Sequence, residues 1–156
     1  MILYRTRQLT YPGLTGVFVV LIIVPLYLAY HYQLGYTFKG NLCLLVAIVN
    51  LFYLINFNHL TITLTPQQLN FGFGLFSKKI PLANIFYWQT ADLSDKKITA
   101  VGIRRLTGHQ TVYLAKGHRS IDLKTVVGHF YLTCNQPQIL IDKITEAKKL
   151  LNYGKN

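Results

Sequence analysis

The stretch HLTITLTPQQLNFGFGLF, residues 59–76, marks the point where the chain begins to alternate between apolar and polar residues. Alternation with a period of two is typical of a β-strand that buries one face. Pro66-Gln67 divides the stretch with a turn signal, so the pattern predicts two consecutive strands. The predicted inward positions are Leu60, Ile62, Leu64, Leu69, Phe71, Phe73 and Leu75.

The chain beyond this stretch repeats the pattern of short strands separated by turn signals. Further strands are predicted at 80–88, 97–105, 109–115, 118–124 and 129–134. Pro137 then suits the first turn of a helix, and apolar residues at three- and four-residue spacing predict an amphipathic helix over 137–152. About seven antiparallel strands and one C-terminal helix together predict a mainly-β curled sheet or barrel that the helix closes.

Two uncharged apolar runs precede this region, at 14–32 and 41–57. Each is close to the length that a helix needs to cross a hydrocarbon core of about 30 Å. The runs therefore predict a membrane-anchored protein with a transmembrane α-hairpin over 14–57. Pro25 and Asn50 interrupt the two runs. Both are candidates for helix-packing contacts, because a freed carbonyl group or a polar amide in lipid needs a partner on a neighbouring helix.

The distribution of charge predicts how such a hairpin is oriented. The formal net charge is +11, with Arg5 and Arg7 before the first run, Lys39 between the runs and the other thirteen Lys and Arg residues after the second. Basic segments stay on the cytoplasmic side of a membrane. We therefore expect a multi-pass protein of the plasma membrane with both termini cytoplasmic. Its soluble parts would be an N-terminal segment over 1–13 and a domain over 58–156.

The order of four motifs resembles that of small bacterial membrane proteins that carry a PH-like (bacterial pleckstrin-homology) domain after a two-helix hairpin. The motifs are LTITLTPQQL at 60–69, KKIPLANI at 78–85, VGIRR at 101–105 and FYLTCNQPQILIDKI at 130–144. The resemblance implies a PH-like fold and a membrane location. It brings no catalytic residues with it.

Three Gly-His dipeptides are the most conspicuous candidates for chemistry, at 108–109, 117–118 and 128–129. Zinc sites need ligands at short local spacings, which these histidines lack, so each His is predicted to open a strand after a glycine turn. The few carboxylates fall at predicted turns or on the helix surface, and Asp122 is predicted to point into solvent. We predict no catalytic, cofactor-binding or metal-binding residue, and therefore no enzyme and no cofactor.

Basic residues remain as candidates for a binding surface. If the strands form an up-and-down meander, the second, fourth and sixth strands end on the side of the membrane. The basic residues at these ends are Lys78, Lys79, Arg104, Arg105 and Lys124. They predict a membrane-facing basic ring on anionic headgroups, at about 1 kcal/mol for each charge near the surface. The alternative is that they are scattered solvated charges.

The function that these patterns favour is a non-enzymatic, membrane-tethered PH-like interaction module. It would bind a protein partner, anionic lipid headgroups or both at the cytoplasmic membrane surface. An accessory subunit of a membrane transport or envelope-synthesis complex is the alternative. Nucleic-acid binding is supported only by the net charge of +11. It is disfavoured because most aromatic residues are predicted to lie inward or in the apolar runs, away from a stacking surface.

Overall fold

The computed structural model describes residues 2–10, 12–32, 37–93, 101–106, 108, 110–117 and 119–153. The chain divides into two compact units. The sheet unit consists of Met1–Thr10 together with His59–Asn156, and the helical unit is Tyr11–Asn58. The first ten residues therefore belong to the same unit as the long C-terminal region.

The helical unit is a pair of antiparallel helices, α1 (Pro12–His31) and α2 (Phe38–Phe57). Thr37 caps the start of α2, since its hydroxyl oxygen accepts from the Gly40 N–H at 3.1 Å. The rings of Phe18 and Tyr53 stack across the pair with their centroids 6.5 Å apart. Residues with small side chains are buried in this unit, namely Ala29, Gly40 and Ala47, and small residues let two helix backbones approach closely.

The prediction of a two-helix transmembrane hairpin over 14–57 is wrong. Among the described residues, only α2 is long and apolar enough to cross a membrane, and the apolar part of α1, Thr15–His31, is shorter. A spanning helix needs about 20 apolar residues, and α1 ends at His31. Pro25 lies inside α1, and the Asn50 amide donates to the Val46 carbonyl of its own helix at 2.8 Å.

The first sheet of the sheet unit, sheet A, has four antiparallel strands in the order β1-β2-β3-β4. They are β1 (Tyr4–Leu9), β2 (His59–Leu64), β3 (Gln68–Phe73) and β4 (Phe76–Pro81). The alternating stretch at 59–76 supplies β2 and β3, as its period predicts. β1 comes from the segment over 1–13, where sequence analysis places no strand. It pairs along its whole length with β2, from Tyr4 opposite Leu64 to Leu9 opposite His59.

The second sheet, sheet B, has five strands in the order β5-β8-β9-β7-β6. They are β5 (Ile85–Asp92), β6 (Gly102–Arg105), β7 (Gln110–Leu114), β8 (Arg119–Thr125) and β9 (Gly128–Thr133). β7 and β9 run parallel, with Gln110 opposite His129 and Tyr113 opposite Leu132. The predicted up-and-down meander is therefore wrong for this half, since β9 lies between β8 and β7.

The predicted fold of about seven strands in one PH-like curled sheet or barrel is also wrong, because the described residues form nine strands in two sheets. Two features account for the two additional strands. β1 lacks a clear apolar alternation, since only its Gln8 is buried. The stretch from 68 to 81 folds back at Gly74-Leu75 and supplies two strands.

Aromatic side chains from both sheets form the centre of the sheet unit. The ring of Phe71 on β3 lies 5.1 Å from that of Tyr113 on β7 and 5.4 Å from that of Phe130 on β9. Phe71 is 1% exposed. Burial of such rings, together with the aliphatic side chains around them, is the main source of stability of the unit.

The helix α3 (Pro137–Tyr153) packs against β5 and β8 of sheet B. It buries Leu140, Ile144 and Ala147, which recur at three- and four-residue spacing. The indole N–H of Trp88 on β5 donates to the Thr145 hydroxyl at 3.0 Å, and the Lys148 ammonium lies 4.5 Å from the centre of the Trp88 ring. Burial lowers the pKa of Lys148.

Candidate anion-binding site

A pocket of about 270 Å³ opens where β4 of sheet A meets the β6–β7 side of sheet B. Its walls are Lys78, Arg105, Leu106, Gln110, Thr111, Val127 and Phe130. Among the described residues, the basic side chains in this wall are those of Lys78 and Arg105, and no carboxylate lines it. We call this the basic pocket.

Lys78 reaches the basic pocket because it lies on the inner face of an edge strand. It is opposite Phe71 in the β3–β4 register, and Ile80, two residues on, is buried. Alternate residues of a strand share a face, so Lys78 points toward sheet B. Its ammonium lies 4.8 Å from the centre of the Phe130 ring. This cation–π contact holds the charge at the edge of the core while Lys78 stays exposed.

Arg105 reaches the same pocket through sheet B. It is the last residue of β6 and lies opposite Thr111 of β7. Thr111 in turn lies opposite Phe130 of β9 in the parallel register. The row Arg105–Thr111–Phe130 therefore crosses three strands and ends at the ring that Lys78 contacts. The pocket depends on the parallel β7–β9 pair, because that pair places Thr111 beside Phe130.

The electrostatics of the basic pocket favour an anion. Within the described part of the chain, neither Lys78 nor Arg105 forms an ion pair. Burial raises the pKa of the nearby Tyr113 phenol, and the positive charge of Arg105 opposes that rise. The Gln110 amide and the Thr111 hydroxyl add neutral donors beside the two cations. Two cations with such donors are suited to a phosphate or carboxylate group.

The structure brings together two of the five residues of the predicted basic ring. Lys79 and Arg104 adjoin Lys78 and Arg105 in sequence, and the alternation of a strand turns each to the opposite face from its neighbour. Lys124 lies elsewhere on sheet B, with its ammonium 4.7 Å from the centre of the Tyr87 ring on β5. A membrane-facing role for the ring stays a prediction.

The histidines do not form a metal site in the described part of the chain, where no group of three His, Cys, Asp or Glu side chains could hold an ion. His109 and His118 lie outside the described residues. His129 bonds to the Asp122 carboxylate across the β8–β9 pair. Its ring lies 4.7 Å from that of Tyr131. Asp122 is therefore half-buried and paired, whereas the sequence pattern placed it in solvent.

Sequence analysis missed Leu106, Gln110, Thr111, Val127 and Phe130 as parts of a site. Val127 carried a signal, because two adjacent valines in a turn are unusual for a soluble surface. Val126 and Val127 connect β8 to β9 and are 76% and 69% exposed. The other four residues carry no local signal, because the parallel β7–β9 pair brings Gln110, Thr111 and Phe130 together and Leu106 joins them through its N–H bond to the Gln110 carbonyl.

Comparison with protein-family models, curated proteins and solved structures finds no match to this chain. The geometry of its own residues therefore carries the functional argument.

Proposed function

We propose that the chain is a non-enzymatic interaction protein that attaches to a membrane through its helical unit and binds anionic lipid headgroups in the basic pocket. The observation that carries the proposal is the convergence of Lys78 and Arg105 on one pocket whose described walls hold no carboxylate. A phosphate group is the anion that a lipid surface presents at high density. Each basic residue near an anionic surface contributes about 1 kcal/mol.

The exposed apolar surface of the helical unit supports membrane attachment. On α2, the side chains of Leu45, Ile48 and Ile55 are 56%, 54% and 68% exposed. On α1, Val20 and Ile23 are similarly open. A helix in the core of a soluble protein buries such residues, and contiguous apolar surface of this kind marks contact with lipid or a partner.

The charge of the sheet unit supports a cytoplasmic position for that unit. The sheet unit holds almost all of the basic residues, and basic segments are retained in the cytoplasm.

The exposed turn between β8 and β9 also fits a lipid surface. Val127 forms part of the pocket wall and Val126 adjoins it, so apolar side chains lie next to the two cations. Such a turn would enter the headgroup region while the cations bind phosphate.

A test of the pocket compares variants that remove equal charge from neighbouring positions. The full chain is purified in zwitterionic detergent micelles, phosphatidylglycerol is added, and bound lipid is counted by native mass spectrometry. Lys78→Gln with Arg105→Gln should weaken binding roughly 30-fold, which corresponds to about 2 kcal/mol. Lys79→Gln with Arg104→Gln is the matched control and should change affinity less than about threefold.

Equal losses in the two double variants would show that diffuse charge, rather than the basic pocket, attracts the lipid. Attachment through the helical unit is tested separately by alkaline carbonate extraction of membranes that contain the full chain. We expect the chain to stay in the membrane pellet. Release into the supernatant would contradict attachment, and a stoichiometric protein that copurifies in mild detergent would indicate that a partner covers the apolar helices.

A further inference from the structure

The face of sheet A that points away from the aromatic core is polar and cationic. One row of cross-strand neighbours runs over all four strands, from Arg5 through Thr63 and Asn70 to Lys79. On the opposite face of the same sheet, the apolar residues of β2 and β3 are fully buried. The row therefore belongs to the outer face of the sheet unit, and both of its cations are exposed.

A second row lies beside the first, two residues along each strand. It runs from Arg7 through Thr61 and Gly72 to Ser77. We call the two rows together the outer face of sheet A. This face has three cations, hydroxyl groups and one amide, and it has no carboxylate and no aromatic ring. Arg5, Arg7 and Lys79 form no ion pair with any described residue.

The spacing of the cations is set by strand geometry. Strands lie about 4.8 Å apart, so Arg5 and Lys79 lie on strands separated by roughly 14 Å. Arg5 and Arg7 are two residues apart on one strand, which separates them by about 7 Å. The charge of Arg7 acts on a neighbouring side chain, because burial and, as the second cause, the positive charge of Arg7 lower the pKa of His59.

We propose that the outer face of sheet A binds an extended acidic segment of a partner protein. An extended chain with carboxylates at every second residue repeats at about 7 Å, which matches the spacing of Arg5 and Arg7. Arginine binds carboxylate with two parallel hydrogen bonds. The threonine hydroxyls between the cations add donors for the remaining oxygens.

A protein segment fits this face better than the other polyanions. Single-stranded nucleic acid is bound on aromatic rings that stack with its bases, and the outer face of sheet A has none. A bilayer bound at the basic pocket is on the opposite side of β4, because Lys78 and Lys79 point to opposite faces of that strand. The two surfaces can therefore bind lipid and protein simultaneously.

The test uses the full chain in uncharged detergent micelles and a fluorescent ten-residue peptide that alternates Glu with Thr. Binding is followed by fluorescence anisotropy at low and high salt. The test variant carries Arg5→Gln, Arg7→Gln and Lys79→Gln. The matched control carries Arg104→Gln, Lys116→Gln and Lys124→Gln, three exposed positions outside both the basic pocket and this face, and removes the same charge from the sheet unit. A peptide with Gln in place of Glu reports binding without carboxylates.

We expect the test variant to lose at least tenfold in affinity for the acidic peptide, while the control stays within twofold of the parent. High salt should weaken the parent's binding, because exposed charges are screened. A second variant keeps the test decisive if the triple variant fails to fold. Thr63→Glu, a single change in the centre of the face, should also weaken peptide binding. Its unfolding midpoint should match that of the parent.

Equal peptide affinity of the parent and the test variant would overturn the proposal, as would equal losses in the test and control variants. An oligothymidine of matched charge that displaces the peptide at lower concentration would assign the face to nucleic acid instead. The proposal does not depend on the lipid site. Failure of the basic pocket would appear only with phosphatidylglycerol and the Lys78 and Arg105 variants.

Discussion

Sheet A and sheet B are made of similar short strands, but the strands of the two sheets differ in how close in the sequence their pairing partners lie. In sheet A, β2, β3 and β4 follow one another in the sequence, and tight turns connect them. In sheet B, β5 pairs with β8, and β9 lies between β8 and β7. The part of the outer face of sheet A that lies on β2, β3 and β4 therefore follows from local register, whereas Arg5 and Arg7 depend on the pairing of the distant β1 with β2. The basic pocket depends on strand neighbours that are distant in the sequence, and especially on the parallel β7–β9 pair.

Substitution in the core that the two sheets share should lower the free energy of unfolding far more than substitution on their surfaces. Phe71 contacts Tyr113 and Phe130 across the sheets. Phe71→Ala should lower the free energy of unfolding by about 3–5 kcal/mol, because it leaves a cavity at a fully buried ring. Urea unfolding of the full chain in micelles, followed by Trp88 fluorescence, measures this. Phe86→Ala, at a position 64% exposed, should cost less than about 0.5 kcal/mol. Similar losses in both variants would show that the two sheets do not share one core.

Gly72 tests whether the β3–β4 hairpin of sheet A needs a residue without a side chain. Its φ is +152°, and a Cβ atom there would collide with the Phe76 carbonyl oxygen and the Ser77 Cα. Gly72→Ala should destabilise by about 3 kcal/mol, since backbone strain and overpacking add. Gly102 on β6 has a φ of +116° and open space around it. Gly102→Ala should therefore cost only the strain, about 1 kcal/mol. A smaller loss at Gly72 than at Gly102 would contradict the close approach.

Sequence pattern located two of the four strands of sheet A and missed β1 and β4. Alternation around Pro66 located β2 and β3, and Pro137 located the start of α3. β1 was missed because its inward face is formed by Tyr4, Thr6 and Gln8, which gives no apolar alternation. The strand order of sheet B could not be predicted, since apolar alternation and turn residues locate strands along the chain but do not indicate which strands pair. Lys78 and Arg105 were predicted as members of a basic ring, but their shared pocket requires that order.

Thr133→Val tests the parallel β7–β9 pair of sheet B and should cause a smaller loss of stability than Phe71→Ala or Gly72→Ala. Its hydroxyl oxygen accepts from the Ala115 N–H at 2.7 Å and the hydroxyl donates to the Tyr113 carbonyl at 3.3 Å, so it joins the end of β9 to that of β7. Thr133→Val should cost about 1–2 kcal/mol, because it leaves a buried N–H without a partner. It should also weaken phosphatidylglycerol binding, since Thr111 and Phe130 lie on the same two strands. Thr63→Val, on the outer face of sheet A, should leave both measurements nearly unchanged.

The smallest change in stability is expected at the contact between Tyr4 on β1 and Cys134, the residue that follows β9. Burial, and then interaction with the Cys134 thiol, raise the pKa of Tyr4 from 10.0 to about 12. The folded chain therefore holds this proton more tightly than the unfolded chain, and the contribution to stability is complete below pH 10 and lost as the pH rises through about 12. Tyr4→Phe should remove this component from the pH dependence of urea unfolding. An unchanged slope above pH 10 in the Tyr4→Phe variant would contradict the assignment.

The parallel pairing of β7 with β9 builds the basic pocket, and a disulfide crosslink between the two strands measures this pairing. In a chain with both native cysteines replaced by alanine, Gln110→Cys with His129→Cys joins residues that are opposite each other in the parallel register. Neighbouring Cα atoms lie within the roughly 4.4–6.8 Å that a disulfide accepts. An antiparallel β7–β8 hairpin that turns at Lys116-Gly117 would instead place Thr111 opposite Asp122. We predict that mild oxidation crosslinks the 110–129 pair and leaves a Thr111→Cys, Asp122→Cys pair reduced. Crosslinking of the 111–122 pair, with the 110–129 pair reduced, would contradict the parallel pairing of β7 with β9.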